Sequence, residues 1–152
     1  MHVKTLFSVP EQPAPTDAAL LLIRVVGGAA FMLHGWPLIR NPFGWMGPNG
    51  FAPGIFQALA AVSEFGGGLA WILGLLTPLA SLGILCTMAV AVATHVFLRG
   101  DPFVSMTGGP AWELASLYFS IALLLIAAGP GRASLDRALF GLRQHRPGAG
   151  RD

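Results

Sequence analysis

The chain has 152 residues, of which 54% are hydrophobic and only 11% charged, with a net charge of +2; soluble domains carry roughly 25% charged residues. That balance leaves room for one domain and excludes a separate soluble module. The absence of any basic stripe interleaved with aromatics excludes a nucleic-acid surface.

Residues 1–16 read as a cytoplasmic N-terminal segment. Pro10, Pro13 and Pro15 interrupt any apolar stretch that would make a cleavable signal, so the first span serves as its own anchor. Four apolar spans follow, at about 17–36, 54–76, 78–98 and 111–128. Each approaches the ~20 residues that a helix needs to cross a ~30 Å hydrocarbon layer. Residues 37–53 and 100–110, rich in Gly and Pro, read as loops. Thr77-Pro78 makes a tight hairpin between the second and third spans. After Gly129-Pro130-Gly131, a short helix is expected over 134–144, capped by Ser134. Its apolar face is Leu135, Ala138, Leu139 and Leu142, and it would lie along the lipid surface. The expected fold is therefore an all-α integral membrane four-helix bundle over 17–128, with a basic tail over 129–152.

Basic residues orient it. Lys4, Arg132, Arg137, Arg143, Arg146 and Arg151 lie on the side of the termini, against Arg40 and Arg99 on the long loops. The positive-inside rule puts both termini in the cytoplasm and both long loops outside. Trp36, Trp45 and Trp112 then form an outer aromatic belt.

Five ionisable residues fall in or at the ends of the spans: Arg24, His34, Glu64, His95 and Glu113. An ionisable group in lipid is costly and marks a function or a structural pair. Arg24 lies roughly 10 Å in from one side and Glu64 roughly 15 Å in from the other, at 1.5 Å per residue. Those levels suit an Arg24–Glu64 pair, either as a structural ion pair or as part of a relay. His34, His95 and Glu113 all fall near the outer interface. Two imidazoles and a carboxylate in one layer suit a metal ion, or a quinone site that transfers protons, or a histidine simply held by a carboxylate. Glu113, Ser116 and Ser120 share one helix face, as do Gln57 and Glu64. Gly66, Ala70 and Gly74 form a small-residue ladder for close helix packing, and the glycines at 66–68 can loosen the helix beside Glu64. The single cysteine, Cys86, reads as a small core hydrophobe and rules out an internal disulfide.

Arg24 with its following glycines, His34-Gly35-Trp36-Pro37, Ser63-Glu64-Phe65-Gly66-Gly67-Gly68, Thr77, His95, Glu113-Leu114-Ala115 and Gly129-Pro130-Gly131-Arg132 ahead of Ser134-Leu135-Asp136 together resemble the DoxX family. The resemblance runs over about 18–142. It implies a small four-helix membrane protein; some members are subunits of thiosulfate:quinone oxidoreductase, and others are linked to thiol or oxidant defence complexes. Members often carry a lysine shortly after the His-Gly pair, where this chain has Leu38.

The expected function is a subunit of a quinone-linked oxidoreductase or oxidant- and thiol-handling complex in a bacterial-type inner membrane. His34, His95 and Glu113 would be catalytic, capped by the 37–53 loop, and Arg24 and Glu64 would bind the cofactor. Quinone is expected ahead of a metal ion. The partners are the lipid bilayer, a protein of a membrane redox complex, and a second copy of the chain. Two alternatives are a non-enzymatic scaffold that recruits a redox or metal-handling partner, and a small transporter or proton-conducting bundle.

Overall fold

A computed structural model describes residues 7–142. Helix α1 runs Ala14–Arg40, α2 Gly54–Leu73, α3 Thr77–Arg99, α4 Glu113–Ala128 and the short α5 Leu135–Phe140. Among the described residues there is no strand, only an isolated bridge between Val9 and Leu142. The first three helices are long and apolar enough to cross a membrane. The fourth has 16 residues, roughly 24 Å of helix, and completes the bundle by packing along α3.

Helix α1 is longer at both ends than the sequence suggests. Pro15 sits in its first turn, where a missing amide costs nothing. Pro37 lies inside it; one lost bond near the end leaves the last turn intact to Arg40. The residues after Arg40 make the first long loop, to Pro53.

The core stands where α1, α2, α3 and α4 meet. Trp71 is fully buried, its ring edge-on to Phe31 at 5.5 Å and its Nε1–H donating to Ser81 Oγ at 2.9 Å. Phe31 also stacks on Tyr118 at 4.7 Å, which brings α4 against α1. Helices α1 and α2 approach backbone to backbone. A Cβ on Gly28 would lie 2.5 Å from the Gly68 carbonyl oxygen, and one on Gly35 would lie 2.5 Å from the Phe65 amide nitrogen. Of the expected ladder of Gly66, Ala70 and Gly74, Gly74 is closely packed, where a Cβ would lie 2.5 Å from Ser134 Cβ and 2.6 Å from Arg24 Nη2, but Gly66 is not at the contact. A Cβ on Gly66 would meet only Val62 within 4 Å, while Gly67 and Gly68 make the close contacts with neighbouring helices. A π-turn at Val62–Gly66 inserts extra backbone and rotates the glycines that follow.

Below the core, the described ends of the chain are tied to the α2–α3 turn. Val9 N–H donates to the Gly141 carbonyl at 3.0 Å, and Phe7 meets Phe140 at 5.2 Å. Ser134 caps α5 as expected, accepting from the Arg137 amide at 3.3 Å. The helix ends at Phe140, short of the expected 144. Leu135 and Leu139 are exposed, while Asp136 is fully buried against the turn. Lys4, Arg143, Arg146 and Arg151, four of the basic residues on which the expected orientation rests, lie outside the described residues.

Candidate functional site

A cavity of about 690 Å³ opens between α2 and α3 beneath the first long loop. Its wall is largely apolar, with Trp45, Met46 and Phe51 from the loop, Phe56 and Leu59 from α2, and Val90 and Ala91 from α3. Two ionisable side chains of the expected set line it, Glu64 and His95, together with Arg99 and Cys86.

Glu64 lies in the π-turn of α2, Val62–Gly66, and His95 in a second π-turn at the end of α3, Thr94–Arg99. Single π-turns within α-helices recur at functional sites, because the widened turn re-aims side chains that regular spacing would place elsewhere. The Glu64 carboxylate makes no hydrogen bond or ion pair among the described residues. His95 does: its Nδ1 lies 2.7 Å from Asp101 Oδ2, and the Asp101 amide donates to the His95 carbonyl at 3.0 Å. A carboxylate only accepts, so Nδ1 carries the proton and Nε2 is the nitrogen left for a ligand. Asp101 is not among the residues expected from the sequence; its one signal there is an acid immediately after the helix-ending Gly100.

The expected cluster of His34, His95 and Glu113 does not form. Among the described residues no three His, Cys, Asp or Glu side chains come together as a metal site. His34 is exposed on α1, whose neighbouring Gly35 takes the contact with α2. Glu113 is also exposed and lines a separate hollow with Phe103, Ser116 and Ser120. Both serines donate to carbonyls of their own helix, Trp112 and Ser116, at 3.0 and 2.9 Å. A shared level along the membrane normal does not mean a shared face.

Nor do Arg24 and Glu64 pair. Glu64 stands level with Gly35, where a methyl group would lie 3.0 Å from the Glu64 carbonyl carbon. Arg24 stands at the opposite end, beside Trp71 and Ile72. Its Nε donates to the Trp71 carbonyl at 2.8 Å and Nη2 to Ile72 at 3.1 Å, while Nη1 reaches Pro130 at 2.5 Å and Ala133 at 3.0 Å. Four backbone carbonyls therefore satisfy one buried guanidinium, which joins α1, α2 and the segment leading to α5. The carboxylate whose charge acts on it is Asp136, not Glu64.

Cys86 is exposed in the cavity wall and is not a core residue, because the face of α3 that carries it meets the open seam with α2. The loop expected to cap His34, His95 and Glu113 instead lends Trp45, Met46 and Phe51 to the cavity that holds Glu64 and His95. Gln57, on the Glu64 face, anchors the loop: Gln57 Oε1 accepts from the Met46 amide at 3.0 Å, and its carbonyl accepts from Trp45 Nε1 at 2.9 Å.

No curated protein and no solved structure matches the chain. The family model described as DoxX matches residues 19–96, from the first turns of α1 through Glu64 and the first π-turn to His95, in the first half of the second. With just over half of its 152 residues matched and its long apolar helices packed into a bundle, the chain belongs to the DoxX family of membrane proteins.

Proposed function

We propose that the protein is a quinone-binding subunit of a membrane oxidoreductase, with the cavity between α2 and α3 as the quinone site. The observation that carries this reading is the meeting of Glu64 and His95, each on its own π-turn, at one apolar cavity. Its volume of about 690 Å³ falls within the range of small-molecule sites, which are mostly apolar with a few polar groups to fix orientation. A quinone bound there supplies two-electron, two-proton carrier chemistry.

The residues have distinct parts. The Glu64 carboxyl and His95 Nε2 would hold the polar edges of the ring. Asp101 keeps the imidazole in one tautomer, so that a proton can be held or released at Nε2. Phe51 and Phe56 flank the space with apolar surface, and the loop carrying Trp45 excludes water. By the positive-inside reading, this end of the bundle faces the outer half of a bacterial-type plasma membrane, and the exposed Leu135 and Leu139 of α5 rest on the inner lipid surface. The electrons would come from a donor or partner protein on the outer side.

The test is quinone titration of the full chain in lipid nanodiscs, followed by quenching of tryptophan fluorescence by decylubiquinone. Saturable binding is expected, with Kd raised about tenfold in Glu64→Gln and in His95→Ala, the worth of one hydrogen bond each. No saturable binding in the wild type, or unchanged Kd in both variants, overturns the reading and leaves the scaffold and transporter alternatives.

A further inference from the structure

The cavity has two unlike boundaries. At the loop end it is roofed by Trp45 and Met46, both held by Gln57. Gln57 is 5% exposed and its Nε2 donates onward to the Ala52 carbonyl at 2.8 Å. One buried side chain thus closes the loop on itself from both sides, and the roof is a bonded structure. The sideways boundary is different. Phe56, Leu59 and Val90, carried by the two helices, line the cavity and are 61%, 56% and 57% exposed. They belong to membrane-spanning helices, so the solvent they meet is lipid. The cavity is also long. On α3 it extends from Gly83 to Arg99, roughly 24 Å along the helix. Its ionisable side chains Glu64, His95 and Arg99 all lie on one or other π-turn, and the seam between them is apolar.

We infer that the cavity loads sideways from the bilayer, through the seam between α2 and α3, and that its occupant is an amphiphile with a hydrocarbon chain. The polar ring or headgroup sits beneath the loop clamped by Gln57, and the chain stays in the seam. This rests on the cavity being the ligand site of the reading above. It adds that a ligand of the same ring class without a chain, arriving from water, must pass the hydrogen-bonded loop.

Cys86, the chain's single cysteine, stands in the cavity wall and serves as the reporter. The full-length protein in nanodiscs is treated with N-dodecylmaleimide from the lipid, or with a trimethylammonium methanethiosulfonate from the water. Expected are modification of Cys86 by the alkyl reagent and at least tenfold slower modification by the charged one. Gln57→Ala, by releasing Met46 and Ala52 while Trp45 keeps its bond to the Gln57 backbone carbonyl, should speed the charged reagent tenfold or more. Prior addition of decylubiquinone should slow the alkyl reagent about tenfold. If the charged reagent modifies the wild type as fast as the alkyl one, sideways loading is overturned, whether or not decylubiquinone protects. If monolaurin protects Cys86 and decylubiquinone does not, loading from the bilayer stands and the quinone reading falls. If no chain-bearing amphiphile protects Cys86, the inference is wrong. The wild-type comparison decides the matter even if Gln57→Ala fails to fold.

Discussion

Asp136 and Leu76 are bound across the turn between α2 and α3: Oδ1 accepts the Leu76 amide at 2.6 Å, and Oδ2 accepts the Thr77 amide at 2.8 Å. Among the described residues Leu76 is the one non-glycine in the left-handed region, at φ 48°, a conformation that costs roughly 1–2 kcal/mol for a residue with a Cβ. The carboxylate offsets that strain and also satisfies the free amides at the start of α3. Its own amide returns a bond to the Gly74 carbonyl at 2.8 Å. Asp136→Ala leaves two amides without their acceptor, and charged hydrogen bonds of this kind are worth about 1.5–3 kcal/mol each. Thermal unfolding in detergent should show a clear loss of stability; a Tm equal to wild type would mean the clamp contributes nothing.

Arg24 extends the same knot upward. Lysine offers three donors on a point charge and cannot reproduce a fork that reaches carbonyls on two sides. Arg24→Lys should therefore lower stability nearly as much as Arg24→Ala, by about 3 kcal/mol, since buried carbonyls lose their donor in both. Whatever folded Arg24→Lys protein is recovered should bind decylubiquinone as the wild type does, because the guanidinium lies at the far end from the cavity. A selective loss of quinone affinity with unchanged melting would instead restore Arg24 to the ligand site.

The spans were legible because they are set by local composition: apolar length, Gly and Pro punctuation, and the tryptophans at one end. Glu64 and His95 were also legible, as ionisable residues where lipid should not tolerate them. What the sequence concealed was which faces meet. Regular periodicity aligns His34, His95 and Glu113 by depth, yet two π-turns and the direct contact of Gly35 with Phe65 decide where those faces point. Asp101, Gln57 and Asp136 are polar residues whose partners lie across chain reversals, which no spacing rule along one helix can supply. Arg24 was found, but its partners are carbonyls, and backbone groups leave no trace in a residue pattern.

The glycines around the α2 π-turn provide a test of that rotation. A methyl on Gly68 would lie 2.7 Å from the Gly28 carbonyl oxygen and 2.8 Å from the Met32 amide nitrogen, both backbone atoms that cannot step aside. A methyl on Gly66 meets only Val62 Cγ1, at 3.8 Å. Gly68→Ala should therefore push α1 and α2 apart and destabilise by about 1–3 kcal/mol, the usual range for overpacking. Gly66→Ala should be neutral or stabilising by up to about 1 kcal/mol, through helix propensity. Paired melting curves of the two variants check this, and the reverse order would place Gly66 at the interface after all.

The pairing of His95 with Asp101 makes the last prediction, and it concerns the tautomer of a single ring. The carboxylate at 2.7 Å from Nδ1 holds the proton there and keeps Nε2 free. Asp101→Ala removes that constraint while leaving the imidazole in the cavity wall. In protein labelled with ¹⁵N-histidine and held in nanodiscs, the wild type should show one histidine with a protonated Nδ1 and an unprotonated Nε2. His95→Gln assigns that signal by deleting it. In Asp101→Ala the ring should redistribute to the other tautomer, and affinity for decylubiquinone should fall several-fold as Nε2 ceases to be a fixed acceptor. Asp101 is then a positioning residue, acting on the ligand through His95. If the tautomer is unchanged without the carboxylate, the imidazole is held by something else and Asp101 merely closes the loop. If the tautomer changes and affinity does not, His95 Nε2 is not the group that meets the ring.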